Sequence, residues 1–310
     1  MNLLDAMRYL VALEQHRHFG RAASACHITQ PALSNALRAL EKELDVAIVR
    51  RGRAYEGLTP EGERVLASAN RLLREQELLR QDLHSGAGSP QGALSIGAVP
   101  TTLPVAARFA ARLQARHRGI KPIVRSLSSH EIETGLESLS LDMGLGYTDR
   151  GVRFTALPQY AEQYFLLRRS ATDAGAPLHL GDTIGWKTAA AGALCLLTRE
   201  MHNRTIVDAA FAQAGLEVRP AIETNSIVTM VLSVLDGEVA AVLPGALMAL
   251  VRGYPGLEAL PLREPEVRTP IGFMIAQGAR PSRALEAALA LASDPAWLEE
   301  AAAQGRVPVA

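Results

Sequence analysis

Over its first 84 residues the chain places apolar side chains every three or four positions, and beyond residue 92 it changes to short apolar runs alternating with amphipathic stretches. A period near 3.6 predicts helices with one buried face, and short apolar runs bounded by turn residues predict strands. Leu3, Leu4, Met7, Leu10, Val11 and Leu13 form a first helical stripe, which Phe19-Gly20 is expected to break. "RAASAC" predicts a second short helix, whose small residues Ala22, Ala23 and Cys26 let another helix cross closely. Leu33, Leu37, Leu40 and Leu44 are the stripe of a third helix over about 30–44. Thr29 is its expected N-cap, and Pro31 falls in the first turn, where a missing N–H costs little. "DVAIVRRGRAYEGLT" then alternates as a short hairpin does, with Arg50, Arg51 and Arg53 at its tip. Three helices and a basic hairpin describe a winged helix-turn-helix.

Thr59-Pro60-Glu61 joins a cap, a first-position proline and a first-turn acid, and so opens a long helix. Val65, Leu66, Ala69, Leu72, Leu73, Leu79 and Leu83 stripe it, and a second copy of the chain is the simplest cover for that stripe. "HSGAGSPQG" is a flexible joint. From "ALSIGAV" onward strands and helices alternate, which predicts a largely parallel sheet with covered faces. The run from 93 to 310 is long for one sheet. Around Arg150 to Ser170 strands follow without a crossover helix, so the chain should pass there into a second subdomain. "FLLRR", "ALCLL", "EVRPAIE" and "VAAVLP" are its expected strands; "IGFMIA" and the helix "SRALEAALALA" should return to the first. The expected fold is α/β with an all-α-dominated winged helix-turn-helix head. The expected divisions are a winged helix-turn-helix head at 1–58, a joining helix at 59–84, a hinge at 85–92 and an α/β domain at 93–310. That domain divides into two Rossmann-like subdomains, roughly 93–165 plus 270–310, and 166–269.

A hydrophobic content of 48% with 21% charged residues is globular, and the zero net charge announces no nucleic acid or membrane partner by a global field. A small basic head on a neutral body remains compatible. Residues 1–58 hold eight basic against six acidic side chains, with arginines concentrated at 50, 51 and 53. No GxGxxG opens a strand–helix unit, and there is no P-loop, GxSxG or HExxH. The eight histidines have no metal-ligand spacing. No catalytic residue, metal or cofactor is therefore assigned, and an enzyme is not expected. Cys26 and Cys195 are far apart in apolar surroundings, as buried free thiols of a reducing compartment would be. The N-terminus is unlike a signal peptide and no apolar run reaches a membrane span, so a cytoplasmic protein without a membrane partner is expected.

The third helix holds the informative chemistry. Gln30, Ala32, Ser34, Asn35 and Arg38 leave its apolar stripe and suit base edges or phosphates in a major groove. Arginines on the following loop suit phosphates or a narrow minor groove. In the α/β part, ligands belong outside the carboxyl ends of strands, beside helix starts. Those ends carry Pro100, Thr101 and Thr102, then Ser128 and Ser129 with Glu131 at capping-box spacing, and then Tyr147. His202 with Asn203, and Asn225 with Ser226, open two further helices. Hydroxyls with free backbone N–H groups favour a small anion.

"FGRAASACHITQPALSNALRALEKELDVAIVRR" with the later "LTPEG" resembles the N-terminal domain of LysR-type transcriptional regulators, and the resemblance in layout covers the whole chain. It implies a dimer or tetramer that binds double-stranded promoter DNA, meets RNA polymerase and answers a small co-inducer. It also implies a type 2 periplasmic-binding-protein-like sensor that holds its effector between two subdomains. By that resemblance Thr29, Gln30, Pro31, Ala32, Ser34, Asn35 and Arg38 face DNA, and Arg50 and Arg53 belong to the wing. Asn35 stands where an arginine is common, and Val49 replaces the usual phenylalanine before the wing arginine. The sensor resembles regulators found beside formate dehydrogenase operons, which implies a very small carboxylate such as formate. Two alternatives stay open: a stand-alone small-molecule binding protein, and a redox-responsive regulator, which needs a second thiol near Cys195.

Overall fold

The computed structural model describes residues 2–50, 52, 55–84, 89–150, 153–170, 177–278 and 280–305. By contacts the chain forms two bodies, 1–88 with 134–141, and 89–133 with 142–310. The first contains helices α1 (Leu3–His16), α2 (Phe19–Ala25), α3 (Gln30–Leu44) and α4 (Pro60–His84). The break after the first helix falls at Arg17 and His18, two residues before the expected Phe19-Gly20, which already begin α2. The reason is His18, whose Nδ1 accepts from the N–H groups of Gly20 (3.1 Å) and Arg21 (3.3 Å). An imidazole thus does the work of a capping hydroxyl. Thr29 caps α3 as expected, accepting from the Ala32 N–H at 3.4 Å. Leu33, Leu37 and Leu40 join Leu10, Leu13, Ala22, Ala23 and Ile48 in one core, while Leu44 is already exposed. Cys26 is only half-buried, unlike the fully buried thiol expected.

The expected hairpin shrinks to one bridge, Val49 to Leu58. The Arg50 N–H donates to Gly57 O at 3.0 Å and the Thr59 N–H to Ile48 O at 2.9 Å. Arg51 and Arg53 lie outside the described residues. Much of the ladder's work falls to Glu41, which the sequence offers as a solvated neighbour of Lys42. Its carboxylate accepts from the N–H groups of Ile48 (2.8 Å) and Val49 (3.1 Å). At the start of α4, Thr59 accepts from the Gly62 N–H at 2.9 Å. A Cβ on Gly62 would stand 2.1 Å from Ile48 O, so the close approach needs glycine.

The stripe along α4 is two faces, not one. Ala69 and Leu78 are buried, and Val65 and Leu66 pack on the head core. Leu72 and Leu79, seven positions apart, point away and are 46% and 58% exposed. Leu73 is half-buried, and the side chain of Leu83 is outside the description.

The second body holds two sheets. β1 (Gly92–Ala98), a 3₁₀ turn (Pro100–Thr102), α5 (Leu103–Arg116), β2 (Ile120–Ser126), α6 (Ser129–Glu137), β3 (Met143–Tyr147) and β4 (Phe154–Glu162) come first. After them the chain runs through β5 (Tyr164–Arg169), β6 (His179–Leu180), β7 (Ile184–Gly185), α7 (Trp186–Ala189), β8 (Leu194–Leu197), α8 (His202–Gln213) and β9 (Ile222–Thr224). α9 (Ile227–Asp236), β10 (Ala240–Pro244), α10 (Met248–Val251) and β11 (Leu257–Arg263) lead to β12 (Thr269–Ala276), α11 (Arg283–Ala292) and α12 (Pro295–Gly305). The first sheet is ordered β2-β1-β3-β12-β4 and the second β6-β11-β5-β10-β8-β9, with β7 beside β11.

Both sheets are mixed, not largely parallel. β12 runs antiparallel to β3 and β4, and β5 antiparallel to β10 and β11. These antiparallel strands are the ones that carry the chain between sheets: only Gln163 separates β4 from β5, and β11 leads back to β12. "EVRPAIE" yields only the three-residue β9, and β11 and α12 were not foreseen. Phe109 packs on Phe273 and Trp297 under the first sheet (centroids 4.4 and 5.2 Å), and Trp186 on Phe211 (5.0 Å) under the second.

Candidate functional site

The carboxyl ends of β1 and β3 and the loop after β2 meet the start of α8 across a narrow cleft inside the second body. Pro100, Thr101, Ser128, Ser129, Tyr147, His202 and Asn203 line it, with Val99, Leu197 and Met201, around a tight space of about 10 Å³. Seven of the ten residues expected for an effector are thus together. The three apolar walls were not foreseen, because a search for polar groups at strand ends passes over them.

The other three have different work. Thr102 is fully buried, and its hydroxyl lies 3.1 Å from Val99 O and 3.3 Å from Leu145 O. It holds the 3₁₀ turn against β3 and shows the cleft no hydrogen-bonding group. Ser226 caps α9 by accepting from the Thr229 N–H at 3.3 Å, and Asn225 is exposed; neither lines the cleft.

A hydrogen-bonded chain forms the cleft floor. Thr101 Oγ1 lies 3.1 Å from the Tyr147 hydroxyl. Asn203 Nδ2 donates to the hydroxyls of Tyr147 (3.3 Å) and Tyr164 (3.2 Å). The Tyr164 hydroxyl reaches Thr269 Oγ1 at 3.2 Å. Burial, with the nearby Glu162 as a second cause, pushes Tyr147 far above the ordinary phenol range, so it keeps its proton. Ser128 and Glu131 close the predicted capping box, with Ser128 N–H donating to Glu131 Oε2 at 2.8 Å and Glu131 N–H to Ser128 Oγ at 3.3 Å. Ser129 Oγ, by contrast, is buried and has no hydrogen-bond partner.

At the mouth, Arg150 Nη1 stands 2.7 Å from His202 Nδ1, and its Nε donates to Glu133 at 2.9 Å. Burial first, and the Arg150 charge second, hold His202 below the ordinary imidazole range, so the neutral ring accepts from the guanidinium. Met201 gives α8 no side-chain cap; the Arg204 N–H donates to Met201 O at 2.9 Å, which leaves the N–H groups of His202 and Asn203 for another acceptor. Arg204 fixes that turn. It is 2% exposed, donates to Leu197 O at 2.8 Å and pairs with Asp208 at 2.7 Å. Sequence reading passed over Arg204, because a lone arginine on a helix gives no sign of being buried. Neutral O–H and N–H donors in a narrow, largely buried cleft suit a small oxygen-bearing ligand.

In the first body, α3 exposes Gln30, Pro31, Ala32, Asn35 and Arg38, and half-buries Ser34. Ser34, Arg38 and Arg50 line one groove with Phe19, Glu41 and Val49. Thr29 is exposed, but its hydroxyl is engaged by the cap. This geometry presents short polar groups and two arginines on one surface, as readers of a major groove do.

Comparison with known proteins agrees with both bodies. Residues 4–63 match the bacterial regulatory helix-turn-helix protein model of the lysR family. The chain is 28% identical over 280 residues to the DNA-binding transcriptional dual regulator OxyR of Escherichia coli, covering 90% of each. It is 27% identical over 280 residues to the hydrogen peroxide-inducible genes activator of Pectobacterium carotovorum, covering 90% of this chain and 91% of the other. Among solved structures, a cysteine-to-aspartate variant of full-length OxyR from Pseudomonas aeruginosa superposes with a TM-score of 0.70 at 25% identity, covering 92% and 95%. With residues 87–295 also matching the LysR substrate binding domain, two thirds of the chain outside the head speak for the same conclusion as the head itself: the protein belongs to the LysR family of transcriptional regulators.

Proposed function

We propose that this DNA-binding regulator answers a small anion, a carboxylate of the size of formate, held in the cleft between its two sheets. Residues 1–58 read promoter DNA through Gln30, Pro31, Ala32, Ser34, Asn35, Arg38, Arg50 and Arg53. Residues 59–84 join two copies through Leu72 and Leu79, and 93–310 sense the effector. One observation carries the ligand class: Ser129 Oγ, buried in the cleft wall without a partner. A buried hydroxyl left unbonded costs about 1–3 kcal/mol, which an acceptor arriving in the cleft would recover. The Thr101–Tyr147 hydroxyl pair and the open start of α8 supply further donors.

The names of the relatives favour a second reading, a response to hydrogen peroxide. A sulfur-based response needs an accessible thiolate. Cys195 is buried in β8, and burial pushes its thiol up. Cys26 belongs to the other body and is also pushed up by burial. These thiols favour the ligand over the oxidant. Calorimetry with sodium formate, acetate and nitrate decides it. Binding that weakens tenfold or more in Ser129→Ala and Tyr147→Phe supports the cleft. An operator response to peroxide that disappears in Cys195→Ser, with none of the anions binding, overturns it.

A further inference from the structure

Behind the cleft floor, where the chain crosses between sheets, lies a carboxyl group that anion binding as described leaves unused. Glu162 ends β4, Tyr164 starts β5, and Thr269 of the returning strand β12 is the register partner of Glu162. Glu162 is 0% exposed. Its Oε1 accepts from the Tyr160 hydroxyl at 3.2 Å, and its Oε2 has no partner. Among the described residues no cation pairs with it. The titratable groups around it are Tyr160 on its own strand, Tyr147 on β3 and Tyr164 on β5, all of which feel its charge. Asp149, past the end of β3, adds to the negative field on Tyr147 and Tyr164. On β12 the facing residue is the neutral Thr269.

Among the described residues no charge offsets that of Glu162, and the cleft hangs from the tyrosines that feel it. Tyr164 bonds to Thr269 and Asn203, Asn203 to Tyr147, and Tyr147 to Thr101. An ionised Glu162 would put a second negative charge behind the cleft floor, where it already acts on Tyr147, while Arg150 at the mouth is engaged by Glu133 and His202. Its neutral form turns Oε2 or Oε1 into a donor and removes the conflict. Burial supports the neutral form by holding this carboxyl up at about 8.

We propose that Glu162 is a proton-linked gate on the effector cleft: an anion enters only with Glu162 protonated, so each anion bound at alkaline pH brings one proton into the crossing between the sheets. The proposal rests on the anion reading of the cleft. The proton goes to a Glu162 carboxylate oxygen, and the anion remains ionised.

The test is calorimetry of the full chain with sodium formate, acetate and nitrate between about pH 6.5 and 9.5, each pH in two buffers of different ionisation heat. Nitrate stays ionised throughout, so any pH dependence with it belongs to the protein. His202 titrates below this window. Affinity should be flat at the acid end and fall by about tenfold per pH unit above about 8, with up to one proton taken up per anion. Glu162→Gln keeps the shape and should bind with the same affinity across the range, without proton uptake. If that variant does not fold, proton uptake in the wild type decides alone. Binding that is indifferent to pH, or an unchanged pH profile in Glu162→Gln, overturns the gate and leaves the cleft assignment standing. No binding of any of the three anions removes the cleft assignment and the gate with it.

Discussion

Two threonines in neighbouring positions illustrate how little a residue's type says about its use. Thr101 points its hydroxyl at Tyr147 in the cleft, while Thr102 turns its own into the backbone. Thr102→Val should therefore cost only about 1 kcal/mol of stability, without singling out the ligand, because Val99 O and Leu145 O keep their backbone donors, Thr102 N–H and Val99 N–H. Thr101→Val should leave stability closer to wild type and weaken binding. Thermal melts and calorimetry on the two variants separate these outcomes. The sequence could place both at a strand end, since periodicity and capping are local properties. It could not say which one turned inward, because that depends on β3 lying alongside. Glu162 makes the same point at larger scale: as the end of an alternating strand it reads as polar and outward, and only the crossing of two sheets buries it. Its folded value of about 8 exceeds the ordinary 4.5, so the native state keeps a proton that the unfolded chain releases between those values. Stability should fall as pH rises from about 4.5 to about 8, at up to about 1.4 kcal/mol per unit. Glu162→Gln should flatten that decline in denaturant melts taken across the range.

At the level of elements, helices were more legible than strands. α3 and α4 begin at the capping residues that the sequence names, Thr29 and Thr59. The wing and β11 were less legible because their partners come from elsewhere in the chain. Glu41 holds the base of the wing from α3, and β11, which contains Pro261, is set by β5. The same divide splits the leucines of α4. Leu72→Asp with Leu79→Asp changes only exposed positions, so it should separate the copies while the head stays folded. Ala69→Asp should instead unfold the head, since it puts a charge into a fully buried position. Light scattering and the helical circular-dichroism signal distinguish the two; an undiminished mass in the double variant would remove α4 from the dimer contact.

For the molecule as a whole, the overall charge says nothing about its partner, whereas the distribution of a few groups does. Arg50→Ala should weaken binding to all DNA sequences and reduce the slope of affinity against salt by about one unit, as the loss of a phosphate contact does. Asn35→Ala should instead alter which bases are preferred, and titrations of operator and scrambled DNA at several salt concentrations read both. The effector's part in this follows from the single residue between β4 and β5. Gln163 and the returning strand are where the chain crosses between the sheets, and the cleft lies beside this crossing. Rotation about a fulcrum moves nearby atoms little and distant ones in proportion to their lever arm. If the two sheets turn about this crossing when a ligand is held, a shift of a fraction of an ångström at Tyr147 and Asn203 would become several times as much at the far rims of both sheets. A molecule too small to touch more than a few side chains can in this way have its arrival geared up to the dimensions of the whole sensor.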